Sequence, residues 1–211
     1  MTRLFRHTAI FASVGALALA ACSREAEAPV ANDDMAMTND MMTNDMMASN
    51  DMMAGNGMAG AGQSFNFAGA DGKALGSVSV SEDANGATMT VNASGMPAGM
   101  HGIHLHEKGL CDGPKFESAG AHWNPTTKQH GRDNPRGAHL GDFANLEVAG
   151  AGTATASFTV AGAMMASGAN MLADADGTAL VVHVKADDYK TDPAGDSGDR
   201  IACAVIAAPK G

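Results

Sequence analysis

Several features are scarce in this chain of 211 residues, and each scarcity excludes a class of protein. No apolar run reaches the roughly 18 to 20 residues that a transmembrane helix needs, which excludes an integral membrane protein. Basic residues are outnumbered, with 13 Lys and Arg against 23 Asp and Glu, so a nucleic-acid binder with a basic surface is excluded. Three cysteines are too few for a small protein built on a disulfide framework.

Residues 1–21 predict export. Arg3 and Arg6 form a positive start, and a short apolar stretch follows that ends in Leu-Ala-Ala before Cys22. This order is typical of a secretory signal peptide, and Leu-Ala-Ala-Cys resembles the bacterial lipoprotein site at which the cysteine becomes lipidated. Ordinary cleavage, which would leave Cys22 as a free thiol, is the alternative. We expect a periplasmic protein held to a membrane by lipidated Cys22, and Ser23 favours the outer membrane over the inner.

Residues 22–63 predict a disordered tether that is rich in methionine. From residue 23 onward the segment has no aromatic residue and no Leu or Ile, so it buries too little apolar surface to offset the entropy of ordering. Asn-Asp-Met-Met occurs three times, starting at Asn39, Asn44 and Asn50, and the segment holds nine methionines. Thioethers suit Cu(I) and are also oxidised reversibly. Three roles stay open: collection of copper, a sink for oxidants and a plain linker.

The rest of the chain, residues 64–211, predicts one all-β domain. Three segments alternate apolar and polar residues with a period of two, and Asp-Gly and Asn-Gly between them are hairpin signals. Eight short strands separated by turns indicate an eight-stranded antiparallel barrel or sandwich. The strands are expected at 64–67, 76–80, 87–91, 101–106, 144–149, 153–160, 179–184 and 200–207.

One long segment, from Glu107 to Gly141, is rich in Gly, Pro, Asn and charge and has no predicted strand. Irregular loops longer than about 12 to 15 residues are uncommon in compact domains unless they are functional. Three histidines lie in this loop, an aspartate directly follows it, and three more histidines lie in predicted strands. These seven residues are His122, His130, His139, Asp142, His104, His106 and His183.

The seven residues predict two adjacent metal sites. His104 and His106 are two apart on a strand, so their imidazoles lie on one face and can bind one metal. Seven ligands are one short of two four-coordinate sites, unless one imidazole bridges through both of its ring nitrogens. A set of nitrogen donors favours Cu(II), and imidazoles with a carboxylate suit zinc. A single histidine taken alone is more often an ordinary core or surface residue.

Four motifs closely resemble copper/zinc superoxide dismutase of the bacterial periplasmic type. They are Gly-Met-His-Gly-Ile-His-Leu-His at 99–106, Gly-Ala-His-Trp-Asn-Pro at 120–125, His-Leu-Gly-Asp at 139–142 and Gly-Asp-Arg-Ile-Ala-Cys at 198–203. The resemblance covers residues 64–211 and implies a Greek-key eight-stranded barrel with a long metal-binding loop. It also implies an enzyme that dismutates superoxide to O2 and hydrogen peroxide and so protects the cell envelope.

The resemblance implies the ligands of both metals. The copper ligands map onto His104, His106, His122 and His183. The zinc ligands map onto His122, His130, His139 and Asp142. His122 is then a bridging imidazolate with a catalytic role, because in the family it takes up a proton and returns it during the reaction.

Further roles follow from the same resemblance. Arg200 matches the active-site arginine, a fixed cation that attracts and orients the anionic substrate. Cys111 and Cys203 match the intrasubunit disulfide, and an oxidising compartment favours that bond. Asp187 matches a carboxylate that is hydrogen-bonded to ligands of both metals. His101 matches a structural histidine that binds no metal.

The net charge of −10 raises the question of how an anion approaches the site. Local positive charge must guide superoxide, since a focused field acts on an incoming ion more than the overall charge does. Three lysines in the long loop are the candidates that we expect to assist Arg200. They are Lys108, Lys115 and Lys128, and each of them has an ordinary solvated surface charge as its alternative interpretation.

The rival function is a non-catalytic copper-binding or copper-delivery lipoprotein. Arg200, the bridged pair of sites and the disulfide disfavour it, because metal storage needs none of them. A purely structural β-sandwich leaves six histidines unexplained. The segment between His183 and Cys203 is shorter than in eukaryotic relatives, so their dimer surface does not carry over, and a monomer and a homodimer both stay open.

Overall fold

The computed structural model describes residues 62–211, and the predicted signal peptide, Cys22 and the methionine-rich tether lie outside them. The described residues form eleven strands and one short 3₁₀ helix at Glu117–Ala119. No helix in this part of the chain has the length and hydropathy to cross a membrane. In chain order the strands are β1 Gln63–Gly69, β2 Ala74–Asp83, β3 Gly86–Ala93, β4 Gly99–His101, β5 Ile103–His106, β6 Leu146–Val148, β7 Ala154–Ala161, β8 Ala163–Met164, β9 Asn170–Met171, β10 Thr178–His183 and β11 Arg200–Ala207.

Alternating sequences build the regular side of the domain. Strands β1, β2 and β3 follow one another as antiparallel hairpins, and both predicted turns are present. In the first turn Gly72 N donates a hydrogen bond to Gly69 O at 2.8 Å. Gly86 follows the second turn with a φ of +142°, and a Cβ there would lie 2.2 Å from Val160 O. Only glycine therefore allows β3 to pass so close to β7.

Seven strands form one antiparallel sheet in the order β5-β10-β11-β1-β2-β3-β7. Strand β4 pairs instead with β6, and a tight turn at residues 149–153 leads from β6 into β7. Because β4 continues into β5, the β4–β6 pair connects the two edge strands of the curled sheet. Strand β3 lies beside β7 rather than beside the strand that follows it, which is the Greek-key arrangement.

The inward-facing side chains form one apolar core. Burial of large aliphatic and aromatic side chains is the main favourable term in folding, and each fully buried side chain of this size contributes about 1.5–3 kcal/mol. The largest fully buried apolar residues of this core are Phe67, Met89, Ile103, Leu105, Leu146, Leu172, Leu180 and Ile206.

The predicted all-β fold, antiparallel and with a long loop, is confirmed, but the predicted strand 101–106 is divided in two. At Gly102 the backbone N donates to Lys185 O at 2.7 Å, and the carbonyl accepts from His183 N at 2.8 Å. The chain thus leaves β6 and joins β10 at this residue. A Cβ on Gly102 would lie 2.8 Å from Ser197 Cβ, so the crossing requires glycine. The short parallel pair β8–β9 was not predicted.

Two loops lie beside strands β5 and β10. The long loop, residues 107–145, connects β5 to β6 and contains only the 3₁₀ helix. The second loop, residues 184–199, connects β10 to β11. These two loops and the strands that they connect carry all the predicted metal-binding residues.

Candidate metal centre

The predicted metal-binding histidines lie between the sheet and the loops rather than inside the barrel. His104 and Val181 are cross-strand partners, so their side chains share a face. Val181 belongs to a small apolar cluster under the long loop that includes Phe116. The partners Leu105 and Leu180 point the other way, into the main core. The loops therefore form the outer wall of the site.

Two segments of the long loop pair with the free edge of β5. Trp123 N donates to Leu105 O at 2.8 Å, and Leu105 N donates to Gly141 O at 2.9 Å. Isolated bridges in the same region join His106 to His122 and His104 to Asp142. This pairing brings residues that are 16 to 38 positions apart in sequence next to each other.

The first group of converging ligands consists of four buried histidines. Their ligand atoms all lie within 4.8 Å of one another. One nitrogen of each ring is buried without a hydrogen-bond partner, and buried polar atoms are rarely left in this state. The four atoms are His104 Nδ1, His106 Nε2, His122 Nε2 and His183 Nε2. Four nitrogen donors at one point fit copper.

The other nitrogen of each ring is held by a hydrogen bond. His106 Nδ1 donates to Gly120 O at 3.0 Å, and His183 Nδ1 donates to Gly198 O at 3.0 Å. Since a carbonyl only accepts, these bonds fix the tautomer and leave each Nε2 with a free lone pair. His104 Nε2 is bonded to Asp187 Oδ2 at 2.8 Å, and His122 Nδ1 to Asp142 Oδ1 at 3.0 Å.

Burial keeps these imidazoles neutral. Loss of solvation, with the charges of neighbouring histidines, lowers the pKa of His183 to about 3 and that of His122 to about 4. The pKa of His106 is lowered well below its ordinary value for the same reasons, with Arg200 adding to the effect. Neutral imidazole is the form that binds a metal ion, so the group is ready to bind at physiological pH.

The second group forms around Asp142. Three imidazole nitrogens approach its Oδ1: His122 Nδ1 at 3.0 Å, His130 Nδ1 at 3.1 Å and His139 Nδ1 at 3.2 Å. His130 Nδ1 is not aligned to donate a hydrogen bond despite this distance. Burial opposes ionisation of Asp142, yet the three imidazoles hold its pKa well below the ordinary value. Three imidazoles and one ionised carboxylate fit zinc.

The structure departs from the predicted second group in one respect. The ligand atoms that lie within 4.8 Å of one another belong to His122, His130, Asp142 and His104 rather than His139. His104 lies between the groups, since its ring centroid is 4.1 Å from that of His122 and 5.5 Å from that of His130. Its Nε2 is already hydrogen-bonded to Asp187, whereas His139 Nδ1 faces Asp142, so His139 stays the predicted fourth ligand.

Asp187 connects the two groups. Its Oδ2 accepts from His104 Nε2 at 2.8 Å, and its Oδ1 accepts from His130 Nε2 at 3.0 Å. Burial acts against its ionisation, but the bonds to both histidines hold the pKa of Asp187 below the ordinary value. Burial lowers the pKa of His130, and the neighbouring carboxylates Asp142 and Asp187 outweigh this and raise it to about 9.

Arg200 lies beside the first group and is fixed by the backbone of the long loop. Its Nη1 donates to Phe116 O and its Nη2 to Gly120 O, each at 2.6 Å. Guanidinium has five N–H donors, so three remain for an anion. Arg200 lines a cavity of about 480 Å³ whose other lining residues are Pro114, Lys115, Glu117, Gly198 and Asp199. Gly198 and Gly120 each also bind a histidine of the first group.

The disulfide joins the long loop to β11. Cys111 and Cys203 are bonded, with their Cα atoms 5.7 Å apart, and they are 92 positions apart in sequence. Cys203 is buried three residues after Arg200, next to Phe116 and Ala119. The bond therefore ties down the segment whose carbonyls hold Arg200.

The three candidate guiding lysines lie in different places. Lys115 lines the cavity with Arg200, and its Nζ is 3.9 Å from Glu117 Oε1, both side chains being largely exposed. Lys108 and Lys128 are exposed but do not line this cavity. Of the three, only Lys115 is placed to act on an anion there, and Glu117 partly cancels its charge.

Sequence reasoning missed several contacts of the site. The carbonyls of Phe116 and Gly120 position Arg200, and backbone atoms carry no signal in side-chain patterns.

His101 is buried, with Nδ1 2.8 Å from His183 O and Nε2 2.9 Å from Pro97 O. This placement agrees with the structural role expected for it.

Fold and site together define an all-β protein with two adjoining clusters of side chains that could each hold a metal ion. Comparison with known proteins specifies the family. The family model for copper/zinc superoxide dismutase (SODC) matches residues 74–206. A Cu-Zn superoxide dismutase from Caulobacter vibrioides is 42% identical over 139 residues, which cover 64% of this chain and 80% of that protein.

Solved structures agree with this assignment. A SOD-like protein from Bacillus subtilis superposes with a TM-score of 0.67 at 36% identity, covering 69% of this chain and 99% of that one. The Cu/Zn superoxide dismutase from Brucella abortus gives a TM-score of 0.55 at 29% identity, covering 69% and 99%. The chain belongs to the copper/zinc superoxide dismutase family.

Proposed function

We propose that the protein is a copper/zinc superoxide dismutase that protects the cell envelope. The reaction takes two superoxide ions and two protons to one O2 and one hydrogen peroxide. The observation that carries the proposal is the set of four buried imidazole nitrogens that converge without hydrogen-bond partners. Bound at these nitrogens, copper would supply the one-electron redox chemistry that the reaction needs.

Two sets of residues would bind the two metals. His104, His106, His122 and His183 would hold copper, and His122, His130, His139 and Asp142 would hold zinc. His122 belongs to both sets, with Nδ1 bonded to Asp142 and Nε2 facing the copper group. Nε2 is thus the atom at which a proton can be held close to the substrate between the two electron transfers.

Arg200 binds and orients the anion. Its guanidinium is held by two carbonyls, so its position changes little when an ion enters, and its remaining N–H groups are donors in the cavity. A fixed cation in a partly buried site attracts an anion more strongly than a mobile surface charge does. A copper store has no use for such an arginine, which disfavours the copper-binding lipoprotein as the alternative.

The proposal extends to location and assembly. The sequence before residue 62 supports a periplasmic protein anchored through lipidated Cys22, with the outer membrane preferred, and a tether that separates the catalytic domain from the lipid. Replacement of Cys22 by Ser is expected to move the protein from the membrane fraction to the soluble fraction, and mass spectrometry of the N-terminal peptide reports the lipid directly. Light scattering distinguishes a monomer from a homodimer.

Superoxide consumption by the copper- and zinc-loaded chain tests the activity. Wild type is expected to be fast, and a His183→Ala variant is expected to be slower by at least about a hundredfold, because loss of a ligand exceeds the 10- to 100-fold cost of losing an outer partner. Lys185→Gln, an exposed neighbour on the same segment, is the matched control. A fully metallated but inactive wild type would support copper storage instead.

A further inference from the structure

Tyr189 adopts a backbone conformation that is unusual for a bulky residue. Its φ is +63°, in the left-handed region that aromatic side chains rarely occupy, and such residues gather at functional sites. Several contacts hold it there. Asp133 N donates to Tyr189 O at 3.0 Å, and the Arg132 guanidinium carbon lies 3.8 Å from the ring centroid of Tyr189. The long loop thus holds Tyr189 of the second loop from two sides.

The close approach of the two loops depends on Gly131, the residue after the ligand His130. Gly131 has a φ of +98°, and a Cβ on it would lie 2.1 Å from Tyr189 O. A side chain at position 131 would therefore push the second loop away. Only glycine fits at this position. The close contact between Gly131 and Tyr189 therefore fixes the distance of Tyr189 from the second group, around Asp142.

The Tyr189 hydroxyl accepts a hydrogen bond from Asn145 N at 2.9 Å. Asn145 in turn binds the backbone of Asp187 twice, since its Oδ1 accepts from Asp187 N at 2.7 Å and its Nδ2 donates to Asp187 O at 2.9 Å. Tyr189 N also donates to Asp187 Oδ1 at 2.6 Å. Asp187 is consequently held at its backbone by Asn145 and at its carboxylate by Tyr189.

We propose that Tyr189 is a positioning residue that, through Asn145, fixes the Asp187 carboxylate against one ligand of each metal. The proposal rests on the function above, because Asp187 binds His104 of the copper group and His130 of the zinc group. A rotation of Asp187 would turn both imidazoles at once. The hydrogen bonds of the Tyr189 amide and hydroxyl go to Asp187 and Asn145 rather than to either histidine, so its action passes through Asp187.

Substitution of Tyr189 by Phe removes one hydroxyl and keeps the ring under Arg132. Loss of a residue that directly supports a ligand weakens metal binding about 10- to 100-fold. Tyr189 acts one contact further out through its hydroxyl, so Tyr189→Phe is expected to weaken zinc binding about three- to tenfold. Asn145→Ala, which removes both bonds to the Asp187 backbone, is expected to have the larger effect.

The experiment uses the mature chain loaded with copper and with Zn²⁺ or Co²⁺ in the second group. Competition with a chromophoric chelator gives the zinc affinity, and the visible spectrum of bound Co²⁺ reports the geometry of its ligands. Tyr189→Phe is expected to lower the affinity and to shift or broaden the cobalt bands. Thr191→Val is the matched control, because it removes a hydrogen bond to Asp188 in the same loop without touching Asn145.

The outcomes distinguish a failure of this inference from a failure of the proposed function. If wild type binds Co²⁺ tightly and Tyr189→Phe matches it in spectrum and affinity within twofold, Tyr189 has no positioning role and this inference is wrong. The same holds if Thr191→Val has an equal effect, since the loss is then a general loosening of the loop. If wild type itself fails to bind Co²⁺ or zinc, the proposed function is wrong.

Discussion

Two walls of the barrel use β-strands in opposite ways. In the regular wall, made of β1, β2, β3 and β7, one face packs inward and the other carries hydroxyls in register. Thr88 and Thr159 are 2.9 Å apart at their oxygens, and Thr90 and Ser157 are 3.0 Å apart. In the metal wall, made of β5, β10 and the two loops, every residue of β5 and β10 is buried.

The difference shows where a sheet can place chemistry. A strand with one solvent-exposed face has its outward side chains in water, and an imidazole on that face would remain solvated. Strand β10 is covered on its outer face by the long loop, which converts that face into a second, polar interior. The regular wall stabilises the fold, whereas burial of the six predicted ligand histidines in the metal wall is energetically unfavourable.

Removal of the metals is expected to give the largest contrast between the walls. At free zinc a thousand times Kd, binding contributes about 4 kcal/mol to stability, which corresponds to about 8–16 °C in Tm for a domain of this size. Chelation is therefore expected to lower Tm by this amount in calorimetry. In hydrogen exchange, amides of residues 107–145 and 184–199 should lose protection first. Equal loss in β2 and β3 would contradict the distinction between the walls.

Loss of the disulfide is the next largest effect. Cys111→Ser is expected to lower the free energy of unfolding by about 2–5 kcal/mol in denaturant titrations. It should also reduce activity, because the freed loop no longer holds the carbonyls that position Arg200. Cys203→Ser serves as the matched variant. Full activity in both variants at low temperature would show that the loop needs no covalent tie.

The charges of Lys115 and Glu117 at the cavity are expected to change the rate of superoxide consumption only about twofold, and only at low salt, because both side chains are exposed. Lys115→Gln should slow superoxide consumption and Glu117→Gln should accelerate it, in stopped-flow measurements across ionic strength. Lys108→Gln and Lys128→Gln, outside the cavity lining, should leave the salt dependence unchanged. A slowing by either of these two variants would restore the wider guiding role that the sequence predicted for all three lysines.

The smallest effect belongs to the regular wall. Thr90→Ala removes one cross-strand hydroxyl pair and is expected to cost about 0.2–1 kcal/mol of stability. Metal content and activity should equal those of wild type, measured by elemental analysis and superoxide consumption. A change in either would show that the regular wall influences the site across the core.

The regular wall was the more predictable half of the fold. Period-two alternation and the Asp71-Gly72 and Asn85-Gly86 turns are local signals, and the structure has both hairpins. The break at Gly102 was not predictable in this way, because its partners, His183 and Lys185, lie about 80 residues further along.

The site shows the same division between local and distant signals. The spacing of His104 and His106 alone predicted that they could bind one metal. The assignment of the remaining ligands to two sets depended on the family resemblance. Asn145 and Tyr189 gave no signal, since an amide and a phenol in loops have no periodic pattern to follow. Their contacts arise only when the two loops fold against each other.

One carbonyl limits how far this enzyme can be redesigned. Gly120 O accepts from His106 Nδ1 and from Arg200 Nη2, so metal affinity and anion attraction share a single anchor. A substitution that shifts residues 116–120 alters both properties together. Engineering of the anion preference without loss of copper would thus start at Lys115, Glu117 or Asp199, whose side chains line the cavity and whose changes leave that carbonyl in place.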